Sequence, residues 1–383
     1  MNRREIFDIT MNRQTDRLTD GVRVLVDQGK QVGSIHKYGY NDIRKVMGLA
    51  PVEDPPILDR MSQCVVSGED LLEAWGIDFR WLEPKWTQIE EVDKDHYRNL
   101  FGALFKNMGD CWSLCESPLK TAGIEALDTY SWPDPDDPEM FEGLRERAKR
   151  WHEETDYVIG ADGIKGGVFQ SALEVRGYDQ LYIDFAIEPD FAHAVLRKVT
   201  DLYKQMYTRY LKEVGEYIQI IYITDDFGAQ NTLLLSPEMW SEFLKPYEGE
   251  LIAHIKNCAP GVKVMFHTDG SVLPIIDGMI EMGVDILNPV QTSVEELSDT
   301  KKLHEQYGDR IGFHGAIDVQ KVLNNSTPGQ IRNEVHRRIC DLGDGGGYIL
   351  ATCHNIGYDI PPENVKTLYE AAREFGTYPL HCS

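Results

Sequence analysis

Short apolar segments alternate with longer amphipathic ones through the second half of the chain, and this alternation restricts the possible folds more than any other feature. Segments with the length and composition of buried strands lie at 218–223, 264–266, 284–291, 310–315 and 348–354. Helix starts separate them: Ser236-Pro237 places a serine N-cap before a proline, and Ser293-x-x-Glu296 has the pattern of a capping box. Strands that alternate with helices pair in parallel, with the helices outside. We therefore predict an α/β fold, a (β/α)8 TIM barrel, with an open doubly wound sheet as the alternative.

The first part of the chain is less regular. Residues 1 to about 30 are polar, with apolar positions at helical spacing, and an amphipathic helix is expected over about 138–154. Between 79 and 132 the chain is rich in aromatic residues. We expect these to pack an additional core, with a lid over a flat apolar ligand as the alternative. Regular β/α units occupy about 155–376, so we predict one TIM-barrel domain over 1–383, whose irregular N-terminal part, about 1–150, supplies an extension and an insertion.

The net charge of −24 limits the possible partners. Nucleic acids and anionic membrane surfaces attract basic proteins, so neither is expected as a partner. No apolar run reaches the roughly 18 residues of a membrane-spanning helix. The seven cysteines form no framework and the N-terminus shows no apolar leader, so we predict a cytoplasmic protein with ordinary thiols at Cys111 and Cys115. Glycine-rich motifs for dinucleotides and phosphates are missing from the sequence.

Polar residues follow each of the five later strands. In a parallel barrel the carboxyl ends of the strands lie on one face, where the catalytic groups of TIM barrels are found. We predict the active site there, built from Asp225, Asp226 and Gln230, then His267 and Asp269, Asn288 and Gln291, His314 and Asp318, and finally Cys353, His354 and Asn355.

Two kinds of chemistry fit these residue types. His267 and Asp269 are two positions apart at a strand end, so their side chains point the same way. His267, Cys353 and a third ligand, either a carboxylate such as Asp269 or His354, would hold Zn²⁺ with one position open. Without a metal, adjacent carboxylates would raise one pKa within an acid–base set of Asp225, Asp226 and His354. A third interpretation makes Cys353 a small buried hydrophobic residue.

Several longer motifs occur in a characteristic order. They are Ile223-Thr224-Asp225-Asp226-Phe227-Gly228-Ala229-Gln230 with Ser236-Pro237-Glu238, His267-Thr268-Asp269-Gly270, Gly283 to Gln291, Gly312 to Asp318, Gly346 to Leu350, His354-Asn355-Ile356, and Pro361-Pro362-Glu363-Asn364. In these motifs the chain, from about 155 to 376, resembles the uroporphyrinogen decarboxylase superfamily. The resemblance implies a TIM barrel, and either a decarboxylase or a methyltransferase of a corrinoid-dependent system.

The methyltransferase branch fits the sequence better. A decarboxylase of this superfamily holds a substrate with many carboxylates through an arginine-rich N-terminal segment, and 33–40 contains no arginine. Methyltransferases that act on coenzyme M show His-x-Cys as zinc ligands, whereas this chain has His267-x-Asp269. A hard carboxylate suits an ether oxygen better than a thiol. The resemblance thus implies the methyltransferase component of a methoxyarene O-demethylase, in which His267, Asp269 and Cys353 bind zinc and Asp225, Asp226 and His354 are catalytic.

In that interpretation a methyl group moves from an aryl methyl ether to the cob(I)alamin of a separate corrinoid protein. The cobalamin-ligating motif Asp-x-His-x-x-Gly is missing from the sequence, so cobalamin would be carried by the partner. The residues expected to contact the small methylated aromatic substrate are Gln230, Gln291, Asn288, His314, Asp318 and Asn355. The alternatives are a methyltransferase with another donor, such as a methylamine, or a thiol acceptor, a decarboxylase-like lyase, and a barrel that only binds a partner.

Overall fold

The computed structural model describes residues 1–29, 33–109, 111–164 and 166–382, and in it the apolar segments form strands and the amphipathic ones helices. The strands are, in chain order, Leu25–Val26 (β1), Ile35–His36 (β2), Ile57–Asp59 (β3), Cys64–Val65 (β4), Phe79–Leu82 (β5), Glu90–Asp93 (β6), His96–Arg98 (β7), Leu104–Asn107 (β8), Trp112–Glu116 (β9), Val158–Ala161 (β10), Ile220–Thr224 (β11), Lys263–His267 (β12), Ile286–Val290 (β13), Gly312–Ile317 (β14) and Tyr348–Thr352 (β15).

The helices surround the larger sheet. They are Arg3–Met11 (α1), Lys37–Val46 (α2), Glu69–Trp75 (α3), Leu144–Glu154 (α4), Val168–Arg176 (α5), Tyr178–Ile187 (α6), Pro189–Val214 (α7), Pro237–Met239 (α8), Lys245–Cys258 (α9), Ile276–Met282 (α10), Glu295–Ser298 (α11), Thr300–Tyr307 (α12), Pro328–Gly343 (α13) and Pro362–Phe375 (α14). The predicted N-cap at Ser236 is present, since its side chain accepts a hydrogen bond from Met239 N.

Eight strands form one parallel sheet in the order β1-β15-β14-β13-β12-β11-β10-β5. The two edges of this sheet meet, because Asp78 N, directly before β5, donates a hydrogen bond to Val26 O of β1 at 2.9 Å. The predicted (β/α)8 barrel is therefore confirmed, and the open doubly wound alternative is wrong. All eight strands run in the same direction, so their carboxyl ends form a single rim.

The N-terminal part corrects two expectations. Helical spacing holds only for α1, whereas Leu25–Val26 is a buried barrel strand that pairs with β15. The β-branched residues of Val22-Arg23-Val24-Leu25-Val26 favour this extended conformation. The helix expected over 138–154 begins at Leu144, because Gly143 before it has a φ of +76° and interrupts the helical backbone.

Two small antiparallel sheets are inserted before the regular units. β2, β4 and β3 form one of them, and β6 to β9 form the other. Tyr97 stacks on Phe105 with ring centroids 5.3 Å apart and meets Trp112 at 4.9 Å. Part of the aromatic-rich stretch thus packs an additional core, as expected.

Two further features concern the whole chain. Among the described residues, no helix is long and apolar enough to cross a membrane. Cys340 of α13 forms a disulfide with Cys382 near the end of the chain, which the sequence did not predict. Cys111 and Cys115 are free and exposed, as expected of ordinary thiols.

Candidate active site

A chain of buried polar side chains crosses the barrel below its rim. Asp27, just after β1, accepts hydrogen bonds from Trp81 Nε1 at 3.2 Å and His314 Nε2 at 3.1 Å. Asn288 Nδ2 donates to His314 Nδ1 at 2.6 Å, and Asn288 Oδ1 lies 2.7 Å from His267 Nδ1. The four side chains from Asp27 to His267 are nearly inaccessible to solvent. They come from β1, β14, β13 and β12, which the barrel brings together.

This chain of hydrogen bonds determines where the protons of both histidines lie. The amide nitrogen of Asn288 only donates, so His314 Nδ1 accepts and its Nε2–H donates to Asp27. The amide oxygen of Asn288 only accepts, so His267 carries its proton on Nδ1. His267 Nε2 therefore has a free lone pair, which is the form of imidazole that binds metal ions.

Two carboxylates face that nitrogen. Asp226 Oδ1 lies 3.7 Å and Asp269 Oδ2 3.8 Å from His267 Nε2. Asp269 N donates to Asp226 Oδ1 at 2.9 Å, which ties the loops after β12 and β11 together. The predicted pair of His267 and Asp269 does point to one side, and the structure adds Asp226 to it. One potential ligand atom from each of the three residues lies within 4.8 Å of the others.

The donor set fits a divalent cation. One neutral imidazole and two carboxylates supply three ligands, as in catalytic zinc sites, which leave a fourth position for water or substrate. Nitrogen with hard oxygen donors also suits other divalent ions, whereas a thiol-activating zinc site is rich in thiolate. We define Asp226, His267 and Asp269 as the metal-ligand cluster.

The structure does not bring Cys353 into this cluster. Its Sγ donates a hydrogen bond to Val290 O at 3.0 Å, and the residue is buried at the end of β15. Burial raises the pKa of the Cys353 thiol to about 12, so the thiolate that would bind a metal is disfavoured. The placement matches the interpretation of Cys353 as a small buried residue.

His354, the next residue, lies on the open side of the cluster. Its Nε2 is 3.7 Å from Asp269 Oδ2, and about half of its side chain is exposed. It can therefore exchange protons with solvent and with a group bound beside Asp269.

Asp225 has a different environment from Asp226. It is buried and accepts hydrogen bonds from Phe169 N and Gln170 N at 2.7 Å each, which caps the first turn of α5. Burial raises the pKa of Asp225 to about 6, and the charge of Asp226 raises it only slightly. Burial also raises the pKa of Glu248, which touches Asp225, well above its usual range. The raised pKa favours a protonated Glu248, whose carboxyl group donates a hydrogen bond to Asp225.

The residues predicted to contact substrate lie in three places. Asn288 and His314 belong to the buried chain of hydrogen bonds. A polar pocket of about 250 Å³ is lined by Asp269 and His354 together with Gln230, Gln291 and Asp318. Asn355 instead accepts a hydrogen bond from Gly33 N at 3.1 Å.

A second and larger cavity, of about 780 Å³, opens beside Asp225 and Asp226. Its apolar wall comes mainly from the insertion and includes Met61, Trp86, Tyr97, Phe101 and Phe105. Cavities of this size and lining are typical of small-molecule sites. Tyr97 and Phe105 belong both to the additional core and to the wall of this cavity, and the lid over a flat apolar ligand stays a prediction.

Sequence reasoning missed Asp27 and the polar residues of the large cavity other than Asp225 and Asp226. Asp27 had a detectable signal, since it follows the apolar segment 22–26 as the other polar residues follow their strands. The missed polar residues of the cavity had no such signal in the sequence, because the cavity walls come from segments that are far apart in the chain.

Comparison with known proteins gives a consistent picture. A sequence model of the uroporphyrinogen decarboxylase family matches residues 116–375. The chain is 25% identical to uroporphyrinogen decarboxylase of Legionella pneumophila (strain Paris) over 274 residues, which covers 70% of this chain and 71% of that protein. It is 25% identical over 198 residues to the enzyme of Psychromonas ingrahamii, of which it spans about half, 51%.

The fold also matches a solved structure over nearly its whole length. The structure of a methyltransferase from Methanosarcina mazei superposes with a TM-score of 0.65 at 20% sequence identity, covering 98% of this chain and 99% of that one. At this identity the match concerns the fold. It includes the N-terminal part, which lies largely outside the family match.

Proposed function

The chain belongs to the uroporphyrinogen decarboxylase family, and from this premise we propose that it is a methyltransferase that moves a methyl group from an aryl methyl ether to the cob(I)alamin of a separate corrinoid protein. One observation carries the proposal: the metal-ligand cluster adjoins the aromatic-walled cavity, since Asp226 belongs to both. The cavity would bind the ring of the substrate. The cluster would bind a divalent cation, for which we propose zinc, next to the ether oxygen.

Decarboxylation is the second candidate, because the curated relatives are uroporphyrinogen decarboxylases. The charges in the large cavity favour methyl transfer instead. Among its described lining residues, seven are acidic and only Lys85 and Arg147 are basic. A polyanionic substrate would be repelled by such a lining. The acidic residues are Asp59, Glu83, Glu142, Asp162, Glu174, Asp225 and Asp226.

The reaction assigns a role to each part of the site. His267 through Nε2, Asp226 and Asp269 would hold the cation, which would polarise the ether oxygen as a Lewis acid. The apolar walls would exclude water and orient the ring. As the methyl carbon leaves, the ether C–O bond breaks and its electron pair stays on oxygen. His354, exposed beside Asp269, would give a proton to the departing phenolate.

The first test is elemental analysis of the purified chain and three variants. We expect about one divalent metal ion per chain, lost in His267→Ala and Asp226→Asn because each removes one of three ligands. Cys353→Ala should keep its metal, since its thiol lies outside the cluster. If Cys353→Ala also lost the metal while remaining folded, the ligand set predicted from sequence would replace the one proposed from structure.

The second test follows the reaction itself. The chain is mixed with cob(I)alamin and a methoxyarene, and phenol release is measured together with the loss of cob(I)alamin absorbance. Methyl transfer by the native chain, abolished in His267→Ala and by a chelator, would support the proposal. Release of CO₂ from uroporphyrinogen without any methyl transfer would establish the lyase instead.

A further inference from the structure

Arg147 lines the large cavity, and no carboxylate among the described residues pairs with it. No hydrogen bond or ion pair of its guanidinium is found within the described part of the chain, and its Nε is buried. The nearest aromatic contact is Trp151, whose ring lies 5.6 Å from the guanidinium carbon. A partly desolvated guanidinium without a counter-charge is costly, and a bound anion would relieve that cost.

The surroundings of Arg147 differ from the rest of the cavity. Burial lowers the pKa of its guanidinium, a neighbouring Arg150 lowers it further, and Tyr210 is the group that raises it. The cavity has an acidic side at Asp225 and Asp226 and a separate cationic position at Arg147.

The barrel places the segments that carry these two positions at the ends of different strands. Arg147 is in the first turns of α4, and the preceding loop contacts the end of β5, where Lys85 N donates to Met140 O at 2.8 Å. Asp226 follows β11, and β5 and β11 are separated by β10 in the sheet. Neighbouring strands are about 4.8 Å apart, so the two strand ends are roughly 10 Å apart. A benzene ring with substituents on opposite carbons spans most of that distance.

We propose that Arg147 is the specificity-determining residue of an anion subsite, and that the substrate is a methoxyarene carrying a carboxylate on the far side of its ring. The identity of the methyl donor rests on the proposed function, whereas the anion subsite does not. The ring lies between the aromatic walls, the methoxy group faces the metal-ligand cluster, and the carboxylate pairs with the guanidinium. The planar fork of arginine matches a carboxylate in two parallel hydrogen bonds.

The test compares two nearly isosteric pairs of ligands. Turnover is measured for 4-methoxybenzoate and its uncharged analogue 4-methoxybenzamide, and calorimetric binding for the corresponding products, 4-hydroxybenzoate and 4-hydroxybenzamide. The variants are Arg147→Met, Arg147→Lys and, as a matched control, Arg150→Met, which removes an exposed arginine from the same helix. The two amides report on folding, because their binding does not depend on the charge of the Arg147 guanidinium.

We expect the native chain to prefer the carboxylates by about 100-fold, the effect of removing one partner of a desolvated charge pair. Arg147→Met should lose this preference and still bind the amides, Arg147→Lys should recover part of it, and Arg150→Met should retain it.

Equal binding of carboxylate and amide by the native chain, or an unchanged preference in Arg147→Met, would overturn the subsite. Binding of 4-hydroxybenzoate that depends on Arg147, without turnover of any ether, would keep the subsite and overturn the proposed function. Turnover of both ethers without a preference would keep the proposed function and overturn the subsite.

Discussion

At the scale of single residues, Asn288 decides which nitrogen of His267 is free to bind a metal. Its amide oxygen accepts from His267 Nδ1 and its amide nitrogen donates to His314 Nδ1. A hydrogen bond on the second ring nitrogen fixes both the orientation and the tautomer of a histidine ligand. Asn288 and His314, which the sequence suggested as substrate contacts, are thus hydrogen-bonded in line with His267, and their contact with substrate stays a prediction.

Replacing Asn288 tests this role. We expect Asn288→Ala to weaken metal binding by about 10- to 100-fold, the usual effect of removing such a partner. The measurement is a competition titration against a chromogenic chelator. Asn324→Ala, an exposed amide outside the site, serves as the control. An unchanged metal affinity in Asn288→Ala would show that the tautomer of His267 is fixed in some other way.

At the scale of secondary-structure elements, the loop after β11 is locked against the start of α5. Asp225 caps α5 through two backbone N–H groups, and Glu248 of α9 holds Asp225 from the other side. The N-cap position of α5 is Gly167, which has no side chain to do this itself. These contacts account for the carboxylate of Asp225 as part of the packing between the loop and α5. Its exposed neighbour Asp226 remains available for the chemistry of the site.

The close contact between these elements requires a glycine at 167. A Cβ there would lie 1.9 Å from Thr224 O and 2.4 Å from Asp225 Cγ. We expect Gly167→Ala to lower the free energy of unfolding by about 2–3 kcal/mol, as overpacking does, and to disturb metal binding through Asp226. Urea denaturation measures the first effect.

The matched variant is Gly329→Ala near the start of α13, where a Cβ would meet nothing within 4 Å. It should instead raise the free energy of unfolding by about 0.5–1 kcal/mol, because alanine favours the helix. Equal stability of the two variants would contradict the close approach at Gly167.

At the scale of the whole molecule, the end of the chain is tied to the barrel. The disulfide between Cys340 and Cys382 joins the tail to α13 across 42 residues of sequence. The tail also pairs with the start of the chain, since Tyr378 N donates to Val22 O at 3.0 Å, four residues before the last residue of β1. Conditions that reduce the disulfide would therefore loosen the region where the barrel closes.

Reduction of the disulfide should be measurable as lost stability. A loop of this length is closed at an entropic cost of about 4 kcal/mol in the unfolded chain, which is the largest decrease in unfolding free energy that dithiothreitol should cause. Cys382→Ser should lose the same stability and become insensitive to dithiothreitol, while Cys111→Ser should behave like the native chain. Mass spectrometry after alkylation, finding free thiols at both positions in the oxidised protein, would contradict the bond.

Much of the fold could be predicted from the sequence because its signals are local. An apolar run followed by polar residues and a helix start identifies a β/α unit within about 30 residues. The predicted cap at Ser236 is present, whereas the capping box predicted from Ser293 is wrong, because α11 begins after Val294 without a side-chain cap. The first strand was missed because Leu25–Val26 is short and its neighbours also fit a helical spacing.

The sequence by itself determined that this protein has a parallel α/β fold, and that polar residues follow the carboxyl ends of its strands, because both follow from the spacing of apolar residues within each unit. Only the tertiary structure decided which of those residues meet. It joined Asp226 to His267 and Asp269, left Cys353 hydrogen-bonded to Val290, and brought Asp27 to His314 from 287 positions away. The physical reason is that barrel closure and side-chain direction set distances between residues that share no local pattern.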